Sequence, residues 1–151
     1  MEHEQIVNES DRLMQLPAGY EWAHSPAVRA QEIMKLRESV GWQAGIEAVW
    51  MGCIDQALSL RGVRLKANGE LVGVGFLVGN DRHAILCDLT VHPEHQSKGI
   101  GLAILYARMA DAERMQIPFL YASIAPKNRL KSVYAQLGFE STGVFRAKNI
   151  S

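Results

Sequence analysis

Residues 87–102, C-D-L-T-V-H-P-E-H-Q-S-K-G-I-G-L, constrain the fold most. The apolar run 84–91 reads as a buried strand, and His92-Pro93 ends it because proline brings no N–H to a sheet ladder. Gln96-Ser97-Lys98-Gly99-Ile100-Gly101 then leads into an apolar helix predicted from Leu102 to about Met115. A strand, a glycine loop and a helix N-terminus in this order make an anion site. The first helical N–H groups have no internal partner and sit at the positive end of the dipole, and Gly99 and Gly101 let a phosphate approach the backbone. The spacing is neither the G-x-G-x-x-G of a dinucleotide loop nor the G-x-x-x-x-G-K-[ST] of a nucleoside-triphosphate loop. Because a helix separates strand 84–91 from the next one, 119–124, the two should lie parallel.

The remaining elements follow from caps, periodicity and turn residues. Residues 1–19 read as a flexible arm ahead of a single α/β domain, 20–151. A first strand is predicted at 20–24. A helix then starts with Ser25 as N-cap and Pro26 in its first turn, runs through Ile33, Leu36 and Val40, and closes at Gly41. A second helix, 44–60, has Ile46, Val49, Trp50, Cys53, Ile54 and Ala57 on one stripe. Asn68-Gly69 between strands 63–66 and 70–78 is a hairpin signal, and Gly73 and Gly75 mark a bulge or a close approach. A short helix over 128–137 is capped by Gly138, and a last strand is predicted at 139–145.

Gln96-x-x-Gly99-x-Gly101 behind Val91-His92-Pro93 resembles motif A of the GNAT superfamily of N-acetyltransferases, and V-Y-A-Q-L-G-F at 133–139 resembles its motif B. The likeness covers 60–140 by motif and 20–60 by element order. It implies the single-domain GNAT acyl-CoA N-acyltransferase fold, with a mixed sheet of about six or seven strands and about four helices. It also implies acetyl-CoA as cofactor. Gln96, Ser97, Lys98, Gly99, Ile100, Gly101 and Leu102 would wrap its pyrophosphate, and the backbones of Leu89, Thr90 and Val91 would pair with its pantetheine arm. Asn128 and Lys131 would add contacts. The family's asparagine seven residues before the motif B tyrosine is Lys127 here, with Asn128 one place later. Tyr134 would be the acid that protonates the leaving sulfur. Asp88 is the candidate base and an acceptor contact, with His92 and Glu47 as weaker alternatives. Trp42, in a V-G-W string that looks like one small-amine subgroup, would touch the acceptor, although core packing is the plainer reading for Trp42 and Trp50.

Composition then excludes. The 16 basic and 16 acidic residues cancel, against a nucleic-acid binder that relies on a basic surface. Cys53 and Cys87 read as free thiols of a reducing compartment, and no His, Cys or Asp cluster stands at metal-ligand spacing. The first twelve residues are polar, and the longest apolar run, 71–79, is too short to span a bilayer, so a cytoplasmic protein is expected. Two functions from different classes remain. One is an N-acetyltransferase acting on a primary amine, a small molecule or a peptide. The other is a non-catalytic acyl-CoA sensor. A homodimer is a family-level expectation.

Overall fold

The computed structural model describes residues 12–23, 28–124, 128–141 and 148. Its strands are β1 (Tyr20–Ala23), β2 (Ser59–Leu65), β3 (Leu71–Gly79), β4 (His83–Val91) and β5 (Phe119–Ala122). They form one mixed sheet in chain order, antiparallel from β1 to β4 and parallel between β4 and β5. The helices are α1 (Ala30–Ser39), α2 (Glu47–Gln56), α3 (Ile100–Arg114) and α4 (Lys131–Gln136), with a 3-10 turn at Pro93–His95.

The sheet is covered on both faces. That is why β3 can bury seven consecutive residues, 71–77, instead of alternating. Phe76 packs in a cluster with Ile33 and Leu36 of α1, joined by Trp50 and Cys53 of α2. Leu77 packs in a second cluster with Leu86 and Leu105, and Ile100 and Ile104 of α3 close over Val63 and Val72. Ala103 and Ala107, each 1% exposed, let α3 lie close to the sheet. Truncating a side chain as buried as Phe76 costs about 3–5 kcal/mol. A polar clasp also ties α3 to β2. Asp111 is 2% exposed and accepts from Arg61 Nε at 2.8 Å, Arg61 Nη2 at 2.6 Å, Ser59 and Arg114. Burial raises its carboxyl pKa, but these donors outweigh burial and hold it below the usual carboxylate range.

Several elements differ from expectation. The sheet has five strands among the described residues, not six or seven; of the last predicted strand, 139–141 join no strand and the rest lies outside the described residues. Ser25 and Pro26 also lie outside them. Helix α1 begins at Ala30, with extended Arg29 as N-cap (φ −103°, ψ 151°) and its N–H bonded to Glu32 Oε1 at 3.0 Å. Helix α2 is shorter than 44–60. Gly45 at φ +85° and extended Ile46 delay its start, and the Leu58 N–H already pairs with Leu77 O at 2.9 Å. Residues 57–60 continue the helical period, yet pairing with β3 wins, so β2 starts at Ser59 rather than 63. Helix α3 starts at Ile100 rather than Leu102, with Gly99 at φ +86° as its N-cap. Leu16, inside the predicted arm, packs on the cluster around Val63.

Candidate active site

Strands β4 and β5 pair only from His83↔Phe119 to Leu86↔Ala122, and the Ser123 N–H bonds to Leu86 O at 2.9 Å. Beyond Leu86, β4 keeps its β3 neighbour through Val74↔Thr90 and Gly73↔Val91, but no described strand lies on its other edge. A cleft of about 640 Å³ opens along that edge. One wall is Leu89, Thr90 and Val91. The glycine loop and the start of α3 give Gln96, Ser97, Gly99, Gly101 and Leu102. The segment before α4 gives Asn128, Arg129 and Leu130, and Val40 and Trp42 approach from the α1–α2 connection.

Local chemistry shapes these walls. Gln96 Nε2 donates to Val91 O at 2.9 Å and fastens the loop to the strand end. Ser97 takes φ +63° and Gly99 φ +86°, left-handed turns that fold the loop's backbone ahead of α3. A Cβ built at Gly101 would stand 3.6 Å from Leu130 Cδ1 and 3.7 Å from Val91 Cγ2, so this glycine keeps the gap between β4 and the α4 segment open. Arg129 Nη1 crosses to Ser97 Oγ at 2.7 Å and places a cation beside the loop. Asn128 Oδ1 accepts the Leu130 N–H at 2.8 Å. An open strand edge, a loop of turned backbone and an adjacent guanidinium fit an extended amide arm that ends in phosphates.

Lys98, Ile100 and Lys131 are not among the cleft-lining residues. Lys98 turns its Nζ to the Tyr20 hydroxyl, 3.2 Å away. Ile100 is 1% exposed and packs into the core. Lys131 is exposed at the start of α4, and Lys127 lies outside the described residues. Trp42 and Trp50 separate. Trp50 rests on Phe76 in the core, whereas Trp42 is 41% exposed and borders the cleft. Between the two indoles stands the Arg37 guanidinium, 5.2 Å and 5.1 Å from the ring centroids.

Asp88 occupies a bulge, at φ +54° opposite Gly75, where the β3–β4 register shifts. Its side chain is half-exposed and forms an ion pair with Arg37 at 3.5 Å. Tyr134 is 3% exposed, and its ring meets Phe139 edge-on at 5.5 Å. It is not among the cleft-lining residues. Burial raises its pKa, and the nearby Arg108 cation opposes that rise. Burial also pushes the Cys87 thiol up to about 12, which keeps it a neutral, inert side chain.

Two features escaped the sequence. Arg108 is completely buried. Its Nη1 donates to Phe76 O at 2.9 Å and Cys87 O at 3.3 Å, and its Nε to Ile104 O at 3.3 Å. A Cβ on Gly75 would stand 2.9 Å from its Cζ, which is the close approach the glycines signalled. The second corrects the expectation of no ligand cluster: His92, Glu94 and His95 bring their ligand atoms within 4.8 Å of one another, because the 3-10 turn folds them together. One ring nitrogen of each histidine is already engaged, with His92 Nδ1 accepting the Glu94 N–H at 3.1 Å and His95 Nδ1 bonded to Tyr20 Oη at 2.6 Å.

Comparison with known proteins agrees with this geometry. A family model described as the acetyltransferase (GNAT) family matches residues 20–139. The UPF0157 protein YqkA of Bacillus subtilis (strain 168) is 31% identical over 127 residues, 80% of this chain but only 35% of that protein, so the chain spans about a third of this curated relative. A GNAT-family acetyltransferase of Streptococcus pneumoniae TIGR4 superposes with a TM-score of 0.66 at 19% identity, covering 85% of this chain and 96% of that one. A Trypanosoma brucei acetyltransferase gives 0.70 at 14% identity, with 87% and 98% covered. Glucosamine-6-phosphate N-acetyltransferase of Arabidopsis thaliana gives 0.68 at 9% identity, with 87% and 99% covered. No helix among the described residues is long and apolar enough to cross a membrane. With a family match over residues 20–139 and a β4–β5 pair that parts beyond Leu86, this chain belongs to the GNAT acetyltransferase family.

Proposed function

We propose that the protein transfers an acetyl group from acetyl-CoA to a primary amine of a small molecule, by direct attack with both substrates bound. The observation that carries this is the free edge of β4 at Leu89–Val91 running into the loop at Gln96–Gly101. Bound acetyl-CoA supplies an acyl group already activated as a thioester.

The chain's own groups do the rest. Backbone groups of Leu89, Thr90 and Val91 pair with the amide arm as a further strand would. Loop N–H groups at Ser97–Gly101, with Arg129, hold the phosphates. An N–H at Val91 or its neighbour donates to the carbonyl oxygen as charge gathers there. Asp88 takes the ammonium proton, and it must leave Arg37 to do so. Tyr134 gives its hydroxyl proton to the leaving sulfur. The phenol and the Cys87–Asp88 segment, where β4 parts from β5, both adjoin Arg108. Trp42 borders the acceptor side. Holding both reactants in line supplies much of the rate, since effective molarities for well-oriented groups reach about 10⁵–10⁸ M.

The test is thiol release from acetyl-CoA in the presence of a panel of small primary amines and N-terminal peptides. Release with a small amine supports the proposal. Release with peptides alone changes the substrate class, and tight CoA binding without release by any amine points to a sensor.

A further inference from the structure

Arg108 is the least expected residue in this core. It sits on α3 at 0% exposure, and its Nη2 is a buried side-chain polar atom without a hydrogen-bond partner among the described residues. Such an orphan keeps the full desolvation penalty of its N–H, the more so on a charged group. Two backbone carbonyls take Nη1: Phe76 O on β3 and Cys87 O on β4. Cys87 directly precedes the bulge at Asp88, so the guanidinium pins the point where β4 leaves regular pairing and parts from β5. Gly75 leaves room for it, since a Cβ there would stand 2.9 Å from both Cζ and Nε. The titratable groups facing it are the Tyr134 phenol from α4 and Cys87 and Asp88 from β4. None is a carboxylate bonded to it, so this is not a buried ion pair held for stability.

We propose that Arg108 is a positioning residue for the transfer step: Nη1 fixes the β4 bulge, and the unpartnered Nη2 is the donor that the Tyr134 oxygen accepts in the loaded site, directing the phenol O–H toward the leaving sulfur. This rests on the assignment of Tyr134 as the acid. In the step the amine nitrogen–carbonyl carbon bond forms and the carbon–sulfur bond breaks. The phenol proton goes to sulfur, and the proton lost by the amine passes to Asp88 or water. Arg108 stabilises the phenolate until solvent returns its proton. A cation beside the phenol favours this charge, so the acid is stronger than burial alone would leave it.

A double-mutant cycle tests it, using thiol release with whichever panel amine turns over and CoA affinity by calorimetry. Arg108→Lys keeps the charge but loses the fork. The expected result is a fall in kcat of about tenfold or more with CoA affinity unchanged, shrinking to less than about twofold in a Tyr134→Phe background. Equal losses in both backgrounds overturn the proposal, because an Arg108 that only props the core acts independently of the phenol. A second arm needs no acceptor. The guanidinium ¹⁵Nη resonances of Arg108 should shift on adding CoA and shift differently in Tyr134→Phe; identical spectra in the two proteins overturn the coupling. Should the wild type acetylate no amine, the functional proposal fails on its own, and the resonance arm still decides the Arg108–Tyr134 contact.

Discussion

Tyr134→Phe removes one oxygen from a side chain that is 3% exposed. The ring stays, with its edge-on contact to Phe139 at 5.5 Å and its place beside Leu86 and Leu105, so no cavity forms. What is lost is the hydroxyl's interaction with the Arg108 guanidinium. The stability change should stay within about 1 kcal/mol, the net worth of one hydrogen bond, which is about 2–4 °C in Tm for a chain of this size. Catalysis should suffer far more. Acid catalysis contributes about 10²–10⁴-fold, so kcat should fall by at least about 100-fold, equivalent to about 2.7 kcal/mol of barrier. Cofactor affinity should be nearly unchanged, because the phenol meets sulfur only as the bond breaks. The assay is thiol release at saturating acetyl-CoA, with calorimetry and thermal melting on the same preparations. Wild-type turnover in a variant with a lowered Tm would refute the reasoning and leave Tyr134 as a core aromatic.

Asp88→Asn should lower kcat while changing Tm little, because the Arg37 pair is loose and half-exposed; unchanged turnover means the amine loses its proton to water instead. Asp111 supports stability with a definite sign. Its folded pKa lies below its unfolded one, so its contribution is present above the unfolded carboxylate range and is lost as pH falls through the folded value. Asp111→Asn should therefore cost about 3 kcal/mol near neutrality and flatten the acid side of the stability curve, read by urea unfolding at pH 7 and pH 3, and an acid slope as steep as the wild type's would exclude Asp111 as its source.

The cleft was legible because its makers are backbone residues with strong local signals. Pro93 had to end β4, and Gly99 had to take the left-handed turn that caps α3. Asn68-Gly69 gave its hairpin, with Gly69 at φ +75°. Arg108 was not legible, since an arginine in a helix reads as a solvent-facing position; only its carbonyl partners across two strands reveal it as core. Gly75, noted as a close approach, was its one trace in the sequence. The end of α2 was misread because residues 57–60 satisfy helical and strand periods alike, and pairing with Leu77 lies outside any local window. Arg37 likewise gains its meaning only from Trp42, Trp50 and Asp88, which the fold brings around it.

Gly101→Glu tests most directly whether the cleft between β4 and the glycine loop holds acyl-CoA. The added Cβ meets Leu130 and Val91 at ordinary contact distances of 3.6 and 3.7 Å, so it fits. A glutamate in the first turn of α3 also favours the helix, through propensity and through its charge at the positive end of the dipole. The fold should therefore hold, while the carboxylate fills the phosphate site and repels its occupant. By calorimetry, wild-type protein should bind CoA one to one, and folded Gly101→Glu should bind at least about 100-fold more weakly, a loss of about 2.7 kcal/mol. Equal CoA affinity in the two proteins, at equal Tm, would contradict the placement of the cofactor in this cleft.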